Sequence, residues 1–131
     1  MKIVLPGKPM SANRMEGIRA IRTKDGRSFT QTYPTKEYKE FLERFTEATT
    51  EMSWQFEKTA DLKITFNSFF SNKASDLDNV LKPSLDALQK VFEWNDKHVY
   101  EIAAYKNLVK KGNERLEIEI EQIKQPKIRM S

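Results

Sequence analysis

LKITFNSFF (Leu62–Phe70), followed after a short polar linker by DLDNVLKPSLDALQKVF (Asp76–Phe92), decides the fold. In the first stretch Leu62, Ile64 and Phe66 alternate with Lys63, Thr65 and Asn67, the two-residue period of a strand with one buried face. In the second, Leu81, Leu85, Leu88 and Phe92 recur on one face of a helix. Pro83 lacks an N–H and crowds the preceding turn, so the regular helix is expected to start near Val80, with Pro83 among its first residues.

Downstream, Val99–Lys110 and Arg115–Ile123 are expected as strands. Leu116, Ile118 and Ile120 alternate with Glu117, Glu119 and Glu121 in the second of them, and Lys110-Lys111-Gly112-Asn113 between the two is a plausible hairpin turn. Upstream, Lys2–Leu5 is a short strand stopped by Pro6-Gly7 and Pro9. Residues 8–33 show no sustained periodicity and are expected as a long basic loop with a hairpin near Asp25-Gly26. Thr35 caps a helix whose core stripe is Tyr38, Phe41, Leu42, Phe45, Ala48 and Met52. The order β-α-β-α-β-β describes a single small α+β domain over 1–131, a mixed sheet with helices packed on it.

Composition narrows the chemistry. The 131 residues fit one domain, and 38% apolar with 11% aromatic residues suffices for a core. The absence of Cys excludes disulfides, a cysteine nucleophile, a thiolate zinc site and an iron–sulfur cluster. His98 is the sole His, and a solvated role fits it better than that of a base. No apolar run approaches the ~20 residues needed to span a bilayer, and MKIVLPGKP is too short and too soon broken by proline for a signal peptide. A cytoplasmic protein with no membrane partner is expected.

The net charge of +4 is unevenly spread. Residues 1–30 hold seven basic groups against two acidic ones, the tail 124–131 adds Lys124, Lys127 and Arg129, and 31–123 is left at −4. Basic ends around an acidic body suit a polyanion approached from one side, although solvated loops produce similar clustering.

Asp76 and Asp78 bracket one residue at the mouth of the second helix. Carboxylates at i and i+2 can converge on one cation, and an oxygen-only donor set favours Mg²⁺ or Mn²⁺. Asp96 completes a three-carboxylate cluster if the strand after it lies beside the one ending at Phe70. The competing reading makes Asp76–Asn79 a helix cap worth ~1 kcal/mol. An EF-hand is excluded, since Leu81 and Ala87 stand where its loop needs Gly and Glu. Lys82 is either a surface ion-pair partner, preferentially of Asp86, or a contact to a scissile phosphate. Phe92 and Trp94 suit a core or dimer contact better than base stacking.

Asp76-Leu77-Asp78-Asn79-x-x-Lys82, then Asp86-Ala87-Leu88, then Asn95-Asp96-x-x-Val99, resembles the signature of the RusA-type Holliday junction resolvases. Tyr105-Lys106…Lys110-Lys111-Gly112…Arg115-Leu116-Glu117-Ile118 resembles that family's last two strands, and Leu5-Pro6-Gly7-Lys8-Pro9…Ser11-Ala12-Asn13-Arg14 its opening strand and turn. The resemblance implies a homodimeric, Mg²⁺-dependent crossover junction endonuclease of bacterial, phage or prophage origin, serving recombination and repair by symmetric paired nicks in four-way DNA. Mn²⁺ is a substitute metal. By the same resemblance Asp76, Asp78 and Asp96 are the metal-binding catalytic carboxylates and Lys82 the essential basic residue. One departure stands out: Asn95 replaces the first of two successive aspartates, removing a negative charge. A non-catalytic or weakened branched-DNA-binding protein that keeps the fold is the alternative.

Phosphodiester hydrolysis fits this inventory, with metal-activated water as the attacking group and Lys82 offsetting charge on the phosphate. Arg14, Arg19, Arg22, Lys24, Arg27, Lys110 and Lys111 are the candidate DNA phosphate contacts.

Overall fold

In the computed structural model, which describes residues 1–124, the Leu62–Phe70 strand buries every second side chain along its whole length. It pairs with a neighbouring strand on each side. The elements in chain order are β1 (Lys2–Pro6), β2 (Glu16–Arg22), β3 (Ser28–Pro34), α1 (Lys36–Thr49), β4 (Leu62–Phe70), α2 (Leu81–Phe92), β5 (Val99–Leu108) and β6 (Arg115–Gln122). A four-stranded mixed sheet has the order β1-β6-β4-β5, and β2 with β3 forms a separate two-stranded sheet. Of the basic tail, only Lys124 falls within the described residues.

Three expectations need correction. The hairpin expected near Asp25-Gly26 is present, its turn at 23–27 including Gly26 with φ +86°, but residues 8–33 are not otherwise one loop, since its regular strands take in 16–34. The order is therefore β-β-β-α-β-α-β-β. Side chains on both hairpin faces are exposed, so no two-residue hydrophobic period marks these strands.

The Lys110–Asn113 turn forms, with Asn113 N–H donating to the Lys110 carbonyl at 3.0 Å, yet β5 and β6 do not pair. β6 inserts between β1 and β4, antiparallel to both, where Leu116, Ile118 and Ile120 are buried. β5 takes the outer edge of β4, parallel to it, as a strand–helix–strand crossover requires.

The buried face of α2 also differs from expectation. Pro83, Ser84, Ala87, Leu88 and Phe92 are buried there, while Leu81 and Leu85 are only partly covered. A 3₁₀ turn at Asp78–Val80 precedes α2, making Pro83 its third residue, where an N–H has no helical partner to lose. Ser84 Oγ donates to the Val80 carbonyl at 2.7 Å, which satisfies the one buried hydroxyl on this face.

Both helices pack on one face of the sheet, where Phe41 and Phe45 of α1 and Leu88 of α2 join Ile3, Ile64, Phe66 and Ile118 in one core. Met52 lies beyond the end of α1 and is exposed, so it adds nothing to the stripe. Phe92 and Trp94 are buried, and Trp94 stacks on Trp54 with centroids 5.1 Å apart. Lys58 Nζ donates to the Phe92 and Glu93 carbonyls at 2.6 and 2.8 Å, closing the C-terminal end of α2. No helix among the described residues is long and apolar enough to cross a membrane.

Thr35 joins the hairpin to α1. Its Oγ1 accepts from Tyr38 N–H at 3.1 Å and donates to the Arg14 carbonyl, and its own N–H donates to the Met15 carbonyl at 3.0 Å. Thr35→Ala is expected to cost about 1 kcal/mol in urea-induced unfolding. Hydrogen exchange in β2 and β3 should rise more than in β4.

Candidate active site

α2 runs back across the sheet, so the residues at its two ends stand at opposite ends of the strands. Asp76 and Asp78 follow β4 at its C-terminal end, whereas Asp96 precedes the N-terminal end of β5, which is aligned with Leu62. A strand of β4's nine residues is roughly 30 Å long. Among the described residues no group of three His, Cys, Asp or Glu side chains could hold a metal ion. The condition set by the sequence is met, since β5 lies beside β4, but the parallel direction places Asp96 at the wrong end. Asp96 therefore does not complete a cluster with Asp76 and Asp78 within one chain.

The Asp76 end is built by the linker 71–77. Asn72 Oδ1 accepts from the N–H groups of Ala74 and Ser75, both at 3.1 Å, and from Ser75 Oγ at 2.9 Å. Lys106 of β5 donates to the Lys73 and Ser75 carbonyls at 2.6 Å each, holding the linker on the sheet edge. Asn79 Nδ2 donates to Asp76 Oδ2 at 3.4 Å. Neither carboxylate caps the helix: the residues at the cap positions of the 3₁₀ turn and of α2 are Leu77 and Val80, with no side-chain bond. Asp76 and Asp78 are exposed. Two exposed oxygen donors two residues apart, with the Asn79 amide beside them, are a donor set suited to a hard divalent cation.

Asp76 and Asn79 line an open cleft with Lys8, Ser11, Asn13 and Arg14 from the turn after β1. Lys8 and Arg14 continue into a second cleft beside Arg44, whose Nη1 donates to the Pro6 carbonyl at 3.1 Å. Sequence reasoning missed Lys8, Asn13, Arg44 and Lys106 as site residues. Arg44 sits on an amphipathic helix like any solvated cation, so nothing in the spacing marks it.

Lys110 and Lys111 belong to the same edge. Val109 N–H donates to the Phe70 carbonyl at 2.8 Å and Ser71 Oγ to Glu114 Oε2 at 3.1 Å, tying this turn to the linker. The N–H groups of Glu114 itself and of Gly112, with the Ser71 hydroxyl, hold the Glu114 carboxyl below the usual range. Arg14 thus lies in the Asp76 cleft and the Lys110-Lys111 turn on the same sheet edge, while Arg19, Arg22, Lys24 and Arg27 ride on the hairpin.

Lys82 is exposed on the first turn of α2 and forms no ion pair with Asp86, contrary to expectation. Asp86 lines a different cleft, with Met15, Tyr33, Tyr38 and Lys90, where Lys90 Nζ donates to Tyr38 Oη at 3.1 Å. Asn95 acts locally, since its Oδ1 accepts from Lys97 N–H at 2.9 Å and caps the 3₁₀ turn Asp96–His98. Asp96 N–H donates to Gln89 Oε1 at 3.0 Å and its carboxylate is left exposed. His98 is partly buried in that turn, remote from Asp76.

Lys106→Met is expected to free the linker without unfolding the domain. Exchange at the Ala74 and Ser75 amides should accelerate while the melting temperature stays nearly constant; unchanged exchange would show that Asn72 alone holds the linker.

The family model described as endodeoxyribonuclease RusA matches residues 6–121 of this chain. No curated protein matches it.

Proposed function

The chain belongs to the RusA family of endodeoxyribonucleases, and on that premise we propose that it resolves four-way DNA junctions by paired, symmetric, metal-dependent nicks. The observation that carries this reading is the pairing of uncapped carboxylates with cations on one sheet edge. Asp76 and Asp78 are free of the capping bonds that a structural role demands, Lys8 and Arg14 line the cleft of Asp76, and the Lys110-Lys111 turn is tied to the end of the same strand.

Asp76 and Asp78 would hold Mg²⁺, or Mn²⁺ in its place. The cation, when bound, supplies a Lewis acid for the phosphoryl oxygen and lowers the pKa of water at neutral pH. Lys82, one helical turn along, has no carboxylate partner among the described residues and offsets the charge that develops on the scissile phosphate. Arg14, Lys110 and Lys111 hold the phosphates on either side, and Arg19, Arg22, Lys24 and Arg27 those further along an arm. A setting alongside DNA in the cytoplasm of a bacterium suits such an enzyme.

Asp96 enters through dimerisation. β5 is an edge strand of ten residues whose outer backbone groups have no partner strand among the described residues, with Tyr100, Ile102, Tyr105 and Leu108 exposed along it. An edge of this kind invites a second strand. Two-fold antiparallel pairing of β5 with its copy reverses the strand direction at the interface. Asp96 of one protomer is thereby carried toward the edge that holds the partner's Asp76 and Asp78. Each site then draws two carboxylates from one subunit and one from the other, and the two sites sit symmetrically for two nicks. Asn95, the feature that favoured a non-catalytic protein, caps the turn before β5.

Asp78→Asn should abolish Mg²⁺-dependent cutting of a synthetic four-way junction while keeping or tightening junction binding, since removing a carboxylate relieves repulsion from phosphate. Full activity in that variant would refute the site. Replacing Arg19 and Arg22 together by Ala should reduce the slope of log K against log salt by about two; an unchanged slope would remove the hairpin from the DNA interface.

A further inference from the structure

The β2–β3 hairpin pairs with no strand of the main sheet, yet it carries large apolar side chains in the open: Ile18 is 71% and Phe29 50% exposed. Register and alternation place Gly17 with Tyr33, Arg19 with Gln31 and Ile21 with Phe29 on one hairpin face. The lower two layers of this face are fixed by their own contacts. The Tyr33 ring lies against Gly17, in space that a Cβ would occupy. Arg19 stands 5.3 Å from the Tyr33 ring centroid and donates to Gln31 Oε1 at 3.2 and 3.0 Å. The outermost layer, Ile21 with Phe29, has only the turn above it.

That turn is closed by Thr23 N–H donating to the Arg27 carbonyl at 2.8 Å and Gly26 N–H to the Thr23 carbonyl at 3.1 Å. Arg22 and Lys24 crowd the same tip with Arg27, which is ion-paired to Asp25 at 3.3 Å, so that the cations outnumber the one acid there. A two-stranded hairpin is marginal alone, and an exposed aromatic at its end adds nothing to its stability. Cations around an apolar wedge suit a partner that offers phosphates and a flat apolar surface together. Intact duplex offers phosphates but hides its base faces within the stack; a branch point leaves base faces open or cheaply opened. The hairpin also springs from the site, since Arg14, which lines the Asp76 cleft, is bonded through its carbonyl to Thr35 at the hairpin base.

We propose that Phe29, backed by Ile21, is a wedge that stacks on a base at the branch point of DNA bound along the Asp76 edge, with Arg22, Lys24 and Arg27 on the flanking phosphates. This rests on the junction-cleaving reading above and adds the means by which branched DNA is told from linear duplex.

The test uses the Asp78→Asn chain without divalent metal and a four-way junction carrying 2-aminopurine at each branch position in turn. Binding should raise the fluorescence several-fold at one or more of these positions and leave the same label in linear duplex unchanged. Adding Phe29→Ala should abolish most of the rise while weakening binding by no more than about tenfold; Phe29→Trp should retain it. Phe29 is half-exposed, so both variants should melt with the parent. Junction binding with no rise, or a rise that Phe29→Ala leaves intact, overturns this proposal alone. Absence of any preference for the junction overturns the nuclease reading and the wedge with it.

Discussion

The parallel pairing of β4 with β5, spanned by α2, is the constraint on which the rest of this molecule depends. A parallel neighbour cannot be reached by a tight turn, so the chain crosses the core face as a helix and returns to the starting end of the strands. That crossing buries Ala87, Leu88 and Phe92 against the sheet and separates the helix mouth from the helix exit by about a strand length. Asp76 and Asp78 are stranded at one end of the strands and Asp96 at the other. It also leaves β5 outermost, with one side of its backbone unpaired. The separation of the acids and the open edge are two consequences of one topology, and the proposed antiparallel pairing of two β5 strands would answer both.

Charge is disposed around this frame so that repulsion and attraction act on different parts of the ligand. At β6 the acids are neutralised locally: Lys2, with Arg115, holds the Glu117 carboxyl below its ordinary range, at 3.0 Å in each case. Above the usual carboxylate pKa these pairs contribute to stability, and the contribution is lost as pH falls through the depressed value. Among the described residues, no such cation is bonded to Asp76 or Asp78. Exposed oxygen donors with basic side chains in the same cleft are a donor set suited to a hard divalent cation.

Much of this was legible in the amino-acid order. The alternation of Leu62–Phe70 and of Leu116–Ile120, the Thr35 cap and the late start of α2 around Pro83 are local properties, and each appears where its pattern sits. Non-local choices were not legible. Lys110–Asn113 has the chemistry of a turn, but a turn does not say which strand lies beside which; the burial of both neighbours decided that β6 enters between β1 and β4. The hairpin was legible at its Asp25-Gly26 turn, but the reach of its strands over 16–34 was not, because Ile18, Arg19, Ala20 and Arg22 face solvent on both sides, leaving strands without an apolar period. The acid pair at Asp76 and Asp78 was visible from its spacing. The position of Asp96 was not, because it depends on strand direction rather than on any residue near it.

The central claim, that one site is shared between two subunits, is tested most directly by mixing two inactive chains. Asp78→Asn and Asp96→Asn, co-expressed with different tags and purified as a mixture of dimers, should regain about a quarter of the wild-type nicking rate, because each mixed dimer assembles one site with all three aspartates intact. Each variant alone should cut nothing. A mixture no more active than its components would contradict the shared site and place all the catalytic carboxylates within one chain.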